Sequence, residues 1–330
     1  MSERTPHIVG LGNALVDVVA AVEPEVVSRH GLTVGGMHLV EAEAAHALFE
    51  EVGPGVRQSG GSVANTIAHL AETPVRGTYI GKVADDDLGN TFCHEMVGLD
   101  LAAPVAVSHN DDHGTGRCVV LVTPDGERTM STYLGAAVTL MPSEARVALP
   151  EDFDILLIEG YIWDAPQGGE VIDTLASAAK AAGARVALTP SDAGCVERNL
   201  PAMRALIEAH VDILVGNHVE ICALGGCDGA EAGLDWAMSK VAIAAVTEHD
   251  KGSWVADANG RHHVAAEPVA QVVDTTGAGD AYASGFLAGL AQGQPVDRAG
   301  AMGARLAASV LGHYGARDGA AARAIALPAA

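Results

Sequence analysis

Five short runs, "HIVGL" (7–11), "DILLIEG" (154–160), "RVALTP" (185–190), "VDILVGN" (211–217) and "KVAIAAVTE" (240–248), are apolar almost throughout instead of alternating. A strand reads that way only when both of its faces are buried, as in a parallel sheet covered by helices on each side. Segments with helical periodicity lie between them, such as "GGEVIDTLASAAKAAG" (168–183), which closes on the helix-ending residue Gly183. The alternation predicts right-handed βαβ units in a doubly wound αβα sandwich with a mostly parallel central sheet.

Two regions break that rhythm. Residues 13–40 and 103–135 read as short strands, and "GRCVVLVTPDGERTMSTY" (116–133) reads as a hairpin with a Pro-Asp-Gly turn. Such pieces do not fit a βαβ layer, so they predict a small inserted β-sheet. It would project as a lid over a site at the strand C-terminal ends. The core is expected in 1–12, 41–102 and 136–330.

With 49% hydrophobic and 18% charged residues, the 330-residue chain has ample material for one large globular core. Its 42 acidic residues against 19 basic ones give a net charge of −23, which disfavours nucleic acid and anionic membrane surfaces as partners. No basic segment leads into an uninterrupted apolar run at the start, and no stretch of about 18 apolar residues follows, so a cytoplasmic location is expected. The cysteines at 93, 118, 195, 222 and 227 lack C-x-x-C spacing and read as free thiols, not as a zinc site. Whether the chain is a monomer or a homodimer is not written in these features.

Chemistry concentrates at "DTTGAGDAYASGFLAGL" (274–290), which follows "EPVAQVV" (267–273), an expected strand, and opens a helix. Gly277, Ala278 and Gly279 leave backbone N–H groups unblocked at that helix start, an anion hole. Asp280, in the first turn, is placed to accept a proton from an attacking hydroxyl, or simply to complement the helix dipole. A second glycine-rich start, "RQSGGSVANTIAHLAE" (57–72), offers Gly60 and Gly61 for close ligand approach. There Ser62 is expected to cap the helix, and Asn65 suits a sugar hydroxyl or plain packing.

"GLGNALVDV" lacks the third glycine of a dinucleotide fingerprint, since Leu15 stands in its place. Asp17 could hold vicinal hydroxyls or be a strand-edge charge. Asn217 and Glu220 in "VGNHVEICAL" share a helix face and could organise a hydrated magnesium ion. No Walker motif is present, which disfavours a P-loop kinase.

Together these stretches resemble the ribokinase-like (PfkB) kinase family. "GGSVANTIAHLA" is similar to its first signature, "DTTGAGDAYASGFLAGL" to its long second signature, and "NHVE" to its N-x-x-E motif. The resemblance implies ATP as donor and Mg2+ as cofactor, with Asp280 as catalytic base and Gly277, Ala278 and Gly279 as anion hole. It implies Asp17, Gly61 and Asn65 on the acceptor, beside the candidate contacts Asn13 and Gly60, Asn217 and Glu220 on magnesium and phosphates through water, and Asp274 and Thr276 on a monovalent cation, K+ by preference. The nucleotide is expected near Thr247 and Gly252 in "TEHDKG", where His249 replaces a family glycine. "GNALVDV", "YIWDAPQGGE", "SDAGCVERN" and "GHYGAR" are similar to the adenosine-kinase branch, which would put His313 beside the adenine of ATP, although a histidine there also suits a helix C-terminus. A nucleoside acceptor, adenosine first, is the expectation; a free sugar such as ribose or fructose is the alternative. Met37, Arg117 and Tyr133 are possible acceptor contacts from the lid.

Overall fold

The computed structural model describes residues 4–53, 55–71, 73–109, 113–123, 127–312 and 315–317. Its centre is an eight-stranded sheet ordered Gly260–Val264, Ser253–Asp257, Ile243–Thr247, Ile213–Asn217, Arg185–Thr189, Ile155–Glu159, His7–Leu11 and Arg76–Ile80. The six strands from Ile243–Thr247 to Arg76–Ile80 run parallel, and the other two form an antiparallel edge. All five apolar runs of the sequence are strands of this sheet.

Their continuous hydrophobicity has a direct cause. Along Ile155–Glu159, Leu156 and Ile158 pack with Ile172 and Leu175 of helix Gly168–Ala181. Ile155 and Leu157 pack with Phe286 and Leu287 of helix Ala278–Ala291 on the opposite face. Successive side chains alternate between faces, and both faces are covered, so the positions before Glu159 at the strand end are all apolar. Each such fully buried side chain contributes about 1.5–3 kcal/mol.

A second sheet of five strands is ordered Met37–Leu39, Arg128–Gly135, Thr115–Val122, Leu15–Ala21 and Val56–Gly60. It contains the hairpin strands expected in 116–133, antiparallel as expected, while the Pro-Asp-Gly turn lies outside the described residues. Two of its boundaries differ from the sequence reading. Val56–Gly60, in the stretch expected in the core, pairs antiparallel with Leu15–Ala21. Ala106–Ser108, expected with the lid, instead pairs in parallel with Lys82–Ala84. Both follow from pairing across long sequence separations, which no local pattern encodes.

Residues 267–273 are not a strand. Pro268 cannot donate to a ladder and the segment is mostly exposed, so its valines have no second face to bury. It is an irregular run leading from the antiparallel edge to the start of helix Ala278–Ala291. Among the described residues no helix is long and apolar enough to cross a membrane.

Candidate active site

The chain runs from His7–Leu11 to Arg76–Ile80 on one side and on to Ile155–Glu159 on the other. Strand order therefore reverses between His7–Leu11 and Ile155–Glu159, the kind of place where open α/β sheets form a ligand crevice. The residues singled out in the first half of the sequence gather there.

Gly61 is the N-cap of helix Ser62–Leu70 at φ 98°, and a Cβ on it would collide with the Asn13 carbonyl oxygen. Only glycine fits that conformation and that contact. With Gly61 as the cap, Ser62 becomes the first helical residue and does not cap the helix as expected. Its hydroxyl instead donates to Asp280 Oδ1 at 2.7 Å, and Asn65 Nδ2 donates to Asp280 Oδ2 at 3.1 Å. The two signatures, remote in sequence, meet at this carboxylate. Burial, the largest influence, pushes Asp280 up to about 6, opposed by those two hydrogen bonds and by the Arg317 guanidinium.

Gly277 is the N-cap of helix Ala278–Ala291 in the left-handed conformation, φ 75°. The Ala278 N–H bonds back to the Thr275 carbonyl at 3.2 Å, so it does not face an anion as expected, whereas the Ala281 N–H already bonds within the helix to Gly277. Between them, the N–H groups of Gly279 and Asp280 meet no backbone acceptor among the described residues. The space where a Gly279 side chain would stand is open. The Gly277 N–H likewise meets no backbone acceptor among the described residues, so the unblocked amides are those of Gly277, Gly279 and Asp280, with Asp280 in the place expected of Ala278.

Asp17 lies on Leu15–Ala21, opposite Gln58 of Val56–Gly60, and a Cβ on Gly60 would collide with its carboxyl group. Burial pushes Asp17 up to about 6, with Arg317 pulling it down and Glu95 adding to the rise. Asn13 is buried just beyond the first strand, and its N–H donates to Glu159 Oε1 at 3.3 Å. Glu159, only 1% exposed, also accepts from the Val63 N–H at 2.9 Å and is pushed up to about 7 by burial. The sequence reading missed Glu159; its signal is a lone carboxylate ending an otherwise apolar strand at the switch point.

Arg317 was also missed. Its Nε donates to Asn65 Oδ1 at 2.9 Å and its Nη1 to Ser59 Oγ at 2.9 Å, while Ser59 Oγ donates to Glu95 Oε2 at 2.8 Å. The preceding residues lie against the same place: His69 Nε2 is 2.9 Å from the Ala316 carbonyl, and the Gly315 N–H donates to Asp274. Of the stretch expected near the adenine of ATP, residues 315–317 therefore sit beside Asn65 and the 274–280 loop. His313 lies outside the described residues.

Asn217 caps helix His218–Gly225 and forms a reciprocal capping box with Glu220. Asn217 Oδ1 accepts from the Glu220 N–H at 2.9 Å, and Glu220 accepts from the Asn217 N–H and Nδ2 at 3.0 and 2.5 Å. Burial is the main cause that pushes Glu220 up to about 8, and Asp192 and Asp280 add to it. Thr247 ends the neighbouring strand, and Gly252 follows a short 3-10 turn over His249–Lys251. His249 adopts φ 49°, in the left-handed region that glycine enters most easily, at a cost of about 1–2 kcal/mol. Its ring packs edge-on to His218 at 5.6 Å.

Asp274, 6% exposed, has both carboxylate oxygens engaged. Oδ1 accepts from the Thr276 N–H and hydroxyl at 3.0 and 2.8 Å, and Oδ2 accepts from Gly315 and pairs with the Arg128 guanidinium. Arg128, on the second sheet, also donates to Thr276 Oγ1 at 2.8 Å. These two side chains do not fit the expected monovalent cation, because a guanidinium already supplies the positive charge. Among the described residues, no group of three or more His, Cys, Asp or Glu side chains could hold a metal ion. A magnesium ion carried by phosphates keeps most of its ligands as water and needs few protein oxygens. Of the three lid residues, Met37 pairs with Met130, and Arg117 stacks between Phe49 and Tyr133 at 5.2 and 5.6 Å.

The chain is similar to solved structures along nearly its whole length. Adenosine kinase from Sinorhizobium meliloti is 35% identical with TM-score 0.88, each chain covering 98% of the other. A probable sugar kinase from Rhizobium etli CFN 42 is 34% identical with TM-score 0.87 and 97% coverage of both. Adenosine kinase of Schizophyllum commune is 28% identical over 335 residues, 90% of this chain and 92% of that one. The model of the pfkB family carbohydrate kinases matches residues 34–323. On that match, and with both of its signatures meeting at Asp280, the chain belongs to the pfkB family of carbohydrate kinases, and is an ATP-dependent kinase acting on a small molecule.

Proposed function

We propose that this kinase transfers the γ-phosphate of ATP to the primary 5′-hydroxyl of a nucleoside, with adenosine as its first substrate. The observation that carries the transfer chemistry is the Asp280 carboxylate, held by Ser62 and Asn65 beside the unblocked N–H groups of Gly279 and Asp280. In the ionised form it accepts the proton of the acceptor hydroxyl as the oxygen attacks phosphorus. The two N–H groups at the positive end of the helix stabilise charge on the transferring phosphoryl group. A magnesium ion bound with the nucleotide would supply further positive charge to the phosphates, and Asn217 and Glu220 would hold it through water.

The acceptor side is acidic: Asp17, Glu95 and Asp280 surround one guanidinium, Arg317, and Glu159 faces Asp280. Such a crevice repels phosphorylated or carboxylated sugars and favours a neutral molecule rich in hydroxyls. Asp17 and Asn65 are assigned to those hydroxyls, with Asn13, Gly60 and Gly61 shaping the wall beneath them. Thr247, Gly252 and His313 are assigned to the nucleotide, and Asn217 and Glu220 to its hydrated magnesium. The second sheet serves as a lid that excludes water, pinned to the 274–280 loop through Arg128.

Similarity to adenosine kinases over almost the full chain supports the nucleoside. Similarity to the Rhizobium etli probable sugar kinase favours the second reading, a free-sugar acceptor. Purified protein with ATP and magnesium is expected to convert adenosine to its 5′-monophosphate, read by mass spectrometry. Phosphorylation of ribose or fructose with every nucleoside left unchanged overturns the nucleoside assignment.

A further inference from the structure

A line of side chains joins the far end of the chain to the candidate base. It runs from Glu95 through Ser59 to Arg317, then through Asn65 to Asp280. The carboxamide of Asn65 has one accepting and one donating end, and its partners decide which way it faces. Arg317 can only donate, so its Nε claims Oδ1 and leaves Nδ2 for Asp280 Oδ2. The opposite orientation sets oxygen against carboxylate and nitrogen against guanidinium. Asn65 is buried with only 5% exposure, so water cannot easily correct such a mismatch.

Arg317 is itself held in place from several directions. The Ala316 carbonyl meets His69, the Gly315 N–H meets Asp274, and the Ala316 methyl occupies the space that any side chain on Gly277 would need. The segment that delivers the guanidinium is thus braced against the same glycine that begins the reactive helix. Arg317 Nη2 is buried with no partner among the described residues, so a further donor remains available in the crevice.

We propose that Arg317 is a positioning residue for phosphoryl transfer, orienting the Asn65 carboxamide so that it donates to Asp280 and supplying the positive charge that keeps this carboxylate ionised. The inference rests on the reading of Asp280 as the base. The other charged groups facing Asp280 are Asp17 on the second sheet, Glu159 at the end of the central strand and Glu220 on helix His218–Gly225. All three are acids, so Arg317 is the cation of the cluster among the described residues, and Glu95 in turn faces Arg317.

The test uses the full chain, labelled with 13C at aspartate carboxyls, with the Asp280 signal assigned by its loss in Asp280→Asn. Arg317→Met is expected to raise the Asp280 titration midpoint by roughly one pH unit, the effect of removing a nearby opposite charge. The acid limb of kcat should rise with it, so that activity lost near neutral pH returns at higher pH. Arg317→Lys, which keeps the charge, is expected to hold the midpoint close to that of the unaltered protein. Should Arg317→Met not fold, Arg317→Gln reads the same midpoint while keeping a donor toward Asn65. An unchanged midpoint in a folded, uncharged variant overturns the proposal, since a merely structural tail anchor would not move it. Failure of the base assignment gives a different result: Asp280→Asn turns over normally, while the midpoint still responds to Arg317.

Discussion

The hydroxyl of Ser62 donates a 2.7 Å hydrogen bond to the carboxylate of Asp280, across 218 residues of sequence. The bond ties the first turns of two helices together, Ser62–Leu70 and Ala278–Ala291. It also stabilises the charged form of a carboxyl group that burial alone drives toward neutrality. A proton acceptor that titrates near 6 is mostly ionised at neutral pH yet remains basic enough to take a proton during transfer.

Asp280→Asn keeps the side-chain shape and removes the base. Turnover is expected to fall about a thousandfold, within the usual range for a general base, while the affinity for acceptor stays within a few fold. In the unaltered enzyme, kcat/KM should decline below a pH of about 6, where Asp280 becomes protonated. Steady-state kinetics and calorimetric binding check both statements, and normal turnover in the variant contradicts the assignment.

Ser62→Ala removes a hydrogen bond that favours the ionised carboxylate. The acid limb should move up by roughly one pH unit, in keeping with a charged hydrogen bond of about 1.5–3 kcal/mol. At pH 6 the ionised fraction falls from about a half to about a tenth, so the variant loses roughly fivefold in rate, and at pH 9 it approaches the unaltered enzyme. A pH–rate profile with an unmoved limb rules out this role for the hydroxyl.

Glu159 predicts an inverse dependence of stability on pH. Its folded-state value of about 7 lies above the ordinary 4.5, so the folded protein binds the extra proton between those values. Stability from this group is therefore greatest below about 4.5 and declines as pH rises through 7. Asp17, Asp280 and Glu220 are raised in the same sense and steepen the decline. Glu159→Gln should flatten the fall in Tm between pH 5 and 8, a change on the order of 2–3 kcal/mol across the window, as read by calorimetry.

Gly61→Ala brings a methyl group against the Asn13 carbonyl oxygen at a backbone angle that side chains rarely adopt. Stability is expected to fall by at least about 1–3 kcal/mol, with acceptor KM rising because the Gly61–Asn65 turn must shift. Urea denaturation and kinetics check the pair, and a variant with unchanged stability refutes the packing argument.

Replacing potassium by a bulky organic cation should leave turnover within about twofold, because Asp274 is already neutralised by Arg128. Arg128→Met strands that buried carboxylate and is expected to destabilise the protein by about 3–5 kcal/mol. Activity that depends strongly on potassium in the unaltered enzyme contradicts this account of the loop.

Much of the architecture is legible in the residues. Strands buried on both faces have no polar alternation, so "DILLIEG" and "VDILVGN" announce a parallel sheet by themselves. Glycine-rich helix starts with polar side chains in the first turn are local features, so Gly61, Asn65, Gly277 and Asp280 are readable one by one. Asn217 and Glu220 are readable as a pair on one turn, and their reciprocal capping box is set by a spacing of three residues.

Other features depend on partners that sequence distance hides. Val56–Gly60 joins the second sheet because Leu15–Ala21 is there to pair with it, and residues 267–273 are irregular because nothing covers them. Ser62 has the residue type of a cap, yet the backbone angle of Gly61 gives that place to the glycine and turns the hydroxyl toward Asp280. Glu159 and Arg128 carry no local signature, and Arg317 closes "GHYGAR" with nothing local to mark its charge as the one that meets Asp280. Their significance is electrostatic, and it arises only where burial removes water and sets them beside opposite or like charges. The sequence by itself determined a doubly wound α/β chain with two glycine-rich helix starts, because periodicity and backbone freedom act over a few residues. The tertiary structure alone decided which charges meet in the crevice between them, because Coulomb interaction and desolvation depend on distance in space.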